Sequence, residues 1–289
     1  MTVPATTALK AKLAERRALL VPGVPNALSA LIAADLGYEA VYVTGAGVTN
    51  MNLGMPDLGL ITLSELAEHV RAIREIVDLP IIVDADTGFG NAVNVYRTVK
   101  VLEHAGASAI QLEDQVFPKK CGHFSGKEVI PLEEMLPKIR AAVDARRDPD
   151  LLIVARTDAR AIVGIDAAIE RAAAFIEAGA DVTFVEAPET VEEMRAIPIR
   201  LEVPQLANLV VGGKTPVLPQ SELRKMGFAV ALYANVALQS AVKAMQTVLS
   251  ALLRDGDLDA VHDQVASFAE RQRLVQKPMF DALERKYRV

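Results

Sequence analysis

The sequence predicts an α/β chain folded as a (β/α)8 TIM-type barrel with extra helices at its C-terminal end, and three patterns predict it. Eight short apolar runs, at residues 18–21, 40–44, 80–83, 109–112, 151–155, 181–185, 205–208 and 229–232, punctuate the chain. Several are rich in valine and isoleucine, as parallel strands buried on both faces should be. The segments between them carry the helical period; in residues 63–77, Leu66, Val70, Ile73 and Val77 form one stripe. A glycine closes helices just before strands, in Asp35-Leu36-Gly37, His104-Ala105-Gly106 and Ala178-Gly179-Ala180, where a left-handed cap ends a helix.

Taken along the chain, residues 1–16 read as an N-terminal helical segment. The run at 18–21 is the first strand, although it could equally end a helix before Pro22. Thr62 and Glu65 form a Thr-x-x-Glu capping box for the helix that opens at Leu63, and Ile165 or Asp166 opens the helix after Gly164. Beyond the eighth run the rhythm breaks. Residues 236–254 form a long amphipathic helix, followed by helical segments at 258–276 and 278–287 with no strand between them. A barrel needs only one helix there, so the arm at 236–289 is either a packing cap or a segment exchanged with another subunit. The competing architecture is an open doubly wound sheet. Gly45-Ala46-Gly47 and Gly88-Phe89-Gly90 follow strands, but Asn50 and Val93 stand where a dinucleotide fingerprint needs its third glycine.

Composition narrows the function. The 289 residues carry a net charge of −6, with acids and bases interspersed, which favours neither nucleic acid nor an anionic membrane. One cysteine excludes an internal disulfide framework and fits a reducing, cytoplasmic setting. The N-terminus lacks the apolar core of a signal peptide, and apolar stretches such as residues 206–211 are too short to span a bilayer. One continuous domain over 1–289 is expected.

In a parallel barrel the reactive groups belong at the C-terminal ends of the strands. Those ends read Thr44, Asp84 with Asp86, Glu113 with Asp114, Arg156 with Asp158, Glu186 and Asn208. On a strand the spacing of Asp84 and Asp86 turns both carboxylates to one side, where a hard cation could bridge them directly or through water. Any single aspartate could instead cap the next helix. Three converging acids, Asp84, Asp86 and Glu113, would repel one another without a cation. Arg156 suits a bidentate grip on a substrate carboxylate, or a structural ion pair with Asp158 or Glu186. After the fourth strand, Pro118-Lys119-Lys120-Cys121-Gly122-His123-Phe124-Ser125-Gly126-Lys127 is a polar, glycine-containing loop suited to act as a lid. Its Cys121 sits in an electropositive setting, and Cys-x-His alone is not a zinc site.

At this loop the chain resembles the isocitrate lyase/phosphoenolpyruvate mutase superfamily, in the branch whose lyases carry Lys119-Lys120-Cys121-Gly122-His123, such as methylisocitrate and 2,3-dimethylmalate lyases. The likeness runs from about Ala27 to the C-terminus. It is carried by Tyr42-Val43-Thr44-Gly45, Val83-Asp84-Ala85-Asp86-Thr87-Gly88-Phe89-Gly90, Glu113-Asp114-Gln115, Ala155-Arg156-Thr157-Asp158, and Asn208 through Gly212-Gly213-Lys214-Thr215-Pro216. It implies a Mg2+ or Mn2+ site with Asp84 as main ligand and Asp57, Asp86 and Glu113 acting largely through water. It further implies a substrate pocket of Thr44, Gly45, Ala46, Gly122, His123, Arg156, Glu186, Asn208 and Val210, and a homotetramer with swapped C-terminal helices.

The resemblance implies carbon–carbon cleavage of a small 2-hydroxy dicarboxylate to a 2-oxo acid and a carboxylic acid. A base takes the hydroxyl proton, the Cα–Cβ bond breaks, and Cys121 protonates the carbanion. Tyr42 is a candidate base whose phenol, near 10 in isolation, would need lowering by the metal or Arg156. Methylisocitrate lyases have an arginine where this chain has Gln239, which favours smaller or more methylated malates; Arg271 is the next candidate for the missing charge. Oxaloacetate hydrolysis or decarboxylation, phosphonate-type mutase chemistry and a catalytically silent dicarboxylate-binding barrel are the alternatives.

Overall fold

The computed structural model describes residues 3–120, 122 and 126–288. Its strands are β1 (Leu19–Val24), β2 (Val41–Val43), β3 (Ile81–Asp84), β4 (Ala109–Glu113), β5 (Leu152–Thr157), β6 (Val182–Val185), β7 (Leu206–Asn208) and β8 (Val230–Tyr233). They pair in parallel in the order β6-β5-β4-β3-β2-β1-β8-β7. A parallel bridge between Thr183 and Gln205, with the Thr183 hydroxyl donating to Gln205 Oε1 at 2.8 Å, joins β6 to β7. That seam makes the sheet a barrel; in a doubly wound sheet the edge strands stay apart.

Each of the eight apolar runs lies on a strand, within two residues at each end except that β1 runs three residues beyond the first. The first is a strand and not a helix end. Pro22 has no N–H to offer, and β1 pairs with β8 up to Pro22 and with β2 from Gly23 onward, so the change of partner falls at the proline. Inside the barrel, Val21, Tyr42, Ile82, Val154, Phe184, Leu206 and Leu232 pack together.

The helices are α1 (Ala5–Ala14), α2 (Ala27–Asp35), α3 (Gly45–Val48), α4 (Leu63–Arg74), α5 (Ala92–Ala105), α6 (Leu132–Ala145), α7 (Arg160–Val163), α8 (Ile165–Glu177), α9 (Val191–Arg200), α10 (Gln220–Met226), α11 (Val236–Asp255), α12 (Phe268–Leu274) and α13 (Lys277–Tyr287). The box at α4 is complete: Thr62 Oγ1 accepts the Glu65 N–H at 3.3 Å, and Glu65 Oε2 accepts the Thr62 N–H at 2.8 Å. Gly37, Gly106 and Gly179 have φ of 84°, 102° and 105°, the left-handed conformation expected of them. The stripe of α4 (Leu66, Val70 and Ile73) and that of α5 (Val95, Val99 and Leu102) pack in one buried cluster with the strand residues Val43, Val83 and Ile110.

Two expectations for the C-terminal arm change. Residues 258–276 are not one helix: a short 3-10 turn at His262–Gln264 precedes α12, which restarts where Ser267 Oγ accepts the Glu270 N–H at 3.1 Å. α11, moreover, is long and apolar enough by length and composition to cross a membrane, with mean hydropathy 1.3 over an 18-residue window of its 20 residues. It also carries Gln239, Ser240, Lys243, Gln246 and Ser250, and its apolar residues recur at helical spacing. Val242, Met245, Leu249 and Leu253 are exposed, Leu253 to 90%. An amphipathic helix with a bare apolar stripe is built to be covered by protein.

Candidate active site

The strand ends converge on one small cavity of about 30 Å3, lined on one side by Tyr42, Thr44, Ala46, Asp57, Asp84 and Glu113, and on the other by Arg156, Phe184, Glu186, Asn208, Leu232, Ala234 and Asn235, with Lys119, Lys120 and Gly122 reaching in from the loop after β4. Of the expected pocket residues, Val210 is half-buried away from the lining, and its carbonyl accepts the Gly213 N–H at 2.9 Å. Cys121 and His123 lie outside the described residues.

Asp84 ends β3. Its Oδ1 accepts the Asp86 N–H and the Gln111 amide, each at 3.2 Å, and its Oδ2 accepts the Gly45 N–H at 3.4 Å. The Tyr42 hydroxyl donates to Gln111 Oε1 at 3.0 Å, so Tyr42, Gln111 and Asp84 form a chain of hydrogen bonds. Asp86 does not continue the strand; its φ of 48° turns the backbone. Both carboxylates nevertheless reach the same place, since a Cβ on Gly45 would lie 3.1 Å from Asp86 Oδ1 and 3.4 Å from Asp84 Oδ2. Neither acid caps the following helix; Asn91 caps α5.

Lys119, 3% exposed, threads its ammonium between Asp57 and Asp86, 2.8 Å from Asp86 Oδ1. That contact is an ion pair without hydrogen-bond alignment, and Asp86 Oδ1 otherwise has no hydrogen-bond partner among the described residues. Burial pushes Asp86 up to about 7, with Lys119 opposing and Asp84 and Asp57 adding to the rise. Lys119 itself is held well above the usual lysine range: burial pulls it down, but Asp86 and Asp57 outweigh that.

Arg156, on β5, faces three acids. Its Nε donates to Asp158 Oδ2 at 2.9 Å and its Nη2 to Asp158 Oδ1 at 3.1 Å; Nε lies 3.3 Å from Glu113 Oε2, and Nη2 lies 3.4 Å from Glu186 Oε2. The β4–β5 register sets Glu113 directly opposite Arg156. The guanidinium also lies over the Phe184 ring at 5.1 Å. The sequence alternatives for Arg156 therefore coexist: it is ion-paired, and it lines the cavity. Burial pushes Glu113 well above the usual carboxylate range against the pull of Arg156, and Glu113 Oε1 has no hydrogen-bond partner among the described residues. At Asp158 burial acts in the same direction, yet Arg156 and Lys127 outweigh it and hold the carboxyl low.

Four sequence expectations fare differently here. Arg156 by itself does not lower the Tyr42 phenol: burial drives it well above 10, Asp84 adds to this, and the pull of Arg156 is weaker. The Thr44 hydroxyl and the Gly45 N–H, expected to face a substrate carboxylate, already serve α3 and Asp84: Thr44 Oγ1 accepts the Gly47 N–H at 3.3 Å. Gln239 is exposed on α11, where its amide donates to the Val211 carbonyl at 3.4 Å, and does not line the cavity. One residue earlier Leu238 faces inward, so the register of α11 turns Gln239 out. Arg271 is exposed and stacked on Phe268 at 5.0 Å. Its helix is tied by Arg273 to Asp35 at the end of α2, the rim where strands begin. The wall where these two were sought is formed by Leu232, Ala234 and Asn235.

Sequence reasoning missed Asn235, Gln111, Lys119 and Lys127. Asn235 precedes α11 but makes no side-chain cap bond, and its Oδ1 is buried without a hydrogen-bond partner among the described residues.

The acids fit a hard divalent cation in part. Asp84 and Asp86 offer converging carboxylate oxygens, and Glu113 offers a buried oxygen with no hydrogen-bond partner among the described residues. No group of three or more His, Cys, Asp or Glu among the described residues closes into a ligand cage. An ion such as Mg2+, which keeps several of its waters and takes one or two carboxylates directly, needs no such cage.

The chain matches the phosphoenolpyruvate phosphomutase family model over residues 9–253. It is 46% identical over 275 residues to the 2,3-dimethylmalate lyase of Eubacterium barkeri, covering 95% of each chain. It is 48% identical over 265 residues to the 2-methylisocitrate lyase of Aeropyrum pernix, covering 91% of this chain and 85% of that one. Among solved structures it matches a crystal structure of 2,3-dimethylmalate lyase, described as a PEP mutase/isocitrate lyase superfamily member, with a TM-score of 0.92 and 33% identity over 99% of this chain and 96% of that one. With the barrel, the strand-end acids and Arg156 in register, the chain belongs to the phosphoenolpyruvate phosphomutase family, within the PEP mutase/isocitrate lyase superfamily.

Proposed function

We propose that the protein is a cytoplasmic, divalent-metal-dependent carbon–carbon lyase. Its substrate is a small 2-hydroxy dicarboxylate, a substituted malate such as 2,3-dimethylmalate or else 2-methylisocitrate, and its products are a 2-oxo acid such as pyruvate and a second carboxylic acid. The observation that carries this reading is the pairing across one cavity of a buried guanidinium, Arg156, with the Asp84 carboxylate, on which that of Asp86 converges. A guanidinium there binds a carboxylate, and the acids bind a cation; a 2-hydroxy acid needs both.

When bound, a Mg2+ held by Asp84, with Asp57, Asp86 and Glu113 through water, lowers the pKa of the substrate's 2-hydroxyl. Tyr42 is linked through Gln111 to Asp84, and with the metal site filled it would serve as the base in its ionised form. Arg156 grips a substrate carboxylate and Phe184 shields it from water. The hydroxyl proton passes to the Tyr42 phenolate, the O–H electrons form the C=O bond, the Cα–Cβ bond breaks, and its electron pair passes to the departing carboxylate fragment as an enolate. The Cys121 thiol delivers a proton to that carbon.

The far wall, Leu232, Ala234 and Asn235, offers apolar surface and one neutral amide. A third carboxylate there would lack a charged partner worth about 1.5–3 kcal/mol, roughly 10- to 150-fold. The test is a Mg2+-supplemented panel of 2,3-dimethylmalate, 2-methylisocitrate, isocitrate, citramalate and oxaloacetate, read by 2-oxo acid release. The expected result is turnover of the substituted malates with kcat/KM above that of 2-methylisocitrate. Because Gln239 faces solvent, Gln239→Arg is expected to leave that ratio unchanged. Oxalate and acetate from oxaloacetate alone would mark a hydrolase, and no turnover at all a silent binder.

The bare stripe on α11 and the exposed Phe268, Met279, Phe280 and Tyr287 of the arm suit a homotetramer in which these helices pack on neighbouring subunits. Sedimentation is expected to give a tetramer for the native chain and smaller species for Leu249→Asp/Leu253→Asp. A native monomer would remove the swapped arm.

A further inference from the structure

Lys127 lies in a polar, glycine-flanked stretch, yet its side chain is 1% exposed and that of its partner Asp158 is fully buried. Its ammonium lies 2.6 Å from Asp158 Oδ1 and also donates to the Gly122 carbonyl. Asp158 Oδ1 is shared with Arg156 Nη2, and Oδ2 takes Arg156 Nε. From behind, the Asp158 N–H donates to Asp114 Oδ1 at 2.9 Å, and Asp114 Oδ2 accepts from Arg171 Nε at 2.6 Å. Gly122 is pressed against the same guanidinium: a Cβ there would lie 2.5 Å from Arg156 Nη2 and 2.6 Å from the Glu186 carboxyl carbon.

We propose that Lys127 is a positioning residue, which through Asp158 sets the guanidinium plane of Arg156 and through the Gly122 carbonyl holds the loop against it. A bidentate grip on a carboxylate tolerates little rotation of the guanidinium. Arg156 has three acids to choose from, so its orientation depends on how firmly each is held. Lys127 pins the oxygen that Asp158 shares with Nη2. Without it, Asp158 has one cation left in a fully buried place, and the guanidinium is free to follow the carboxylate. This inference rests on the reading of Arg156 as the partner of a substrate carboxylate.

The test is calorimetric titration with oxalate, a planar mimic of an enolised 2-oxo acid, at fixed Mg2+. It compares native protein, Lys127→Met, Asp158→Asn and the double variant, with Mg2+ titrated alone in parallel. Lys127→Met is expected to weaken oxalate binding by about 10- to 100-fold, the scale of a charge-assisted hydrogen bond. In the Asp158→Asn background the same change is expected to cost less than about 3-fold, because its effect passes through Asp158. Mg2+ affinity is expected to stay within about 3-fold, since Lys127 pairs with none of Asp57, Asp84, Asp86 or Glu113. Oxalate binding that is unchanged in Lys127→Met, losses that multiply, or an equal fall in Mg2+ affinity each overturns the proposal. If Lys127→Met does not fold, the double variant, which buries no unpaired charge, takes its place. Native-like oxalate affinity in the double variant overturns the proposal, and a loss of about 10-fold or more supports it. Native protein that binds no oxalate at all overturns instead the reading of Arg156.

Discussion

Asp84→Ala is expected to abolish turnover, with a loss of about 10^4-fold or more, while the barrel stays folded. Metal-assisted steps draw several kcal/mol from charge stabilisation at the reacting oxygen. Asp84 is the acid best placed to hold the ion: it ends β3, and its carboxylate is fixed by Gln111, by the Gly45 N–H and by the Asp86 N–H. Removing it takes one negative charge from a cluster that also holds Asp57, Asp86 and Glu113, so the fold loses three hydrogen bonds but also like-charge repulsion. The measurements are kcat with Mg2+, kcat in excess chelator, and circular dichroism. Chelator is expected to reproduce the loss and Mg2+ to reverse it. Full activity in excess chelator would sink the metal assignment.

Cys121→Ser is expected to lower kcat by about 10^2- to 10^4-fold, the range of one acid–base group, while leaving substrate affinity near native. A serine hydroxyl keeps the shape of the thiol but is a far weaker acid, so the enolate formed after cleavage waits for its proton. The split between kcat and substrate Kd is the decisive readout. A variant with native kcat removes Cys121 from proton transfer; one that loses binding and folding together marks it as packing.

The strands were legible because a strand buried on both faces is largely apolar, and eight such runs alternate with segments of helical period; the run at 18–21 alone could equally have ended a helix. The acids were legible because a barrel delivers the residue at each strand end to the same rim, so Asp84, Glu113, Arg156 and Glu186 meet although they are far apart in sequence. What stayed hidden depends on reach and rotation. Lys119 and Lys127 read as solvated loop lysines, and only the tertiary fold shows that their long side chains carry the ammonium back into buried acids. Gln239 is one residue past the inward-facing Leu238, an angular difference that sequence spacing beyond a strand end does not fix. Tyr42 lines the cavity, but burial and Asp84 push its phenol up, and a sequence does not state how dry a place will be.

Lys119 has a consequence for the life of the protein between turnovers. Its ammonium already sits among Asp57, Asp86, Glu113 and Asp84, and is held charged by them. The fold therefore carries an internal counter-ion for its most acidic region, and the integrity of the barrel does not hinge on capturing a divalent cation from solution. A zinc finger, whose ligands scatter when the ion leaves, is at the opposite extreme. Here one positive charge among the acids is built into the chain itself.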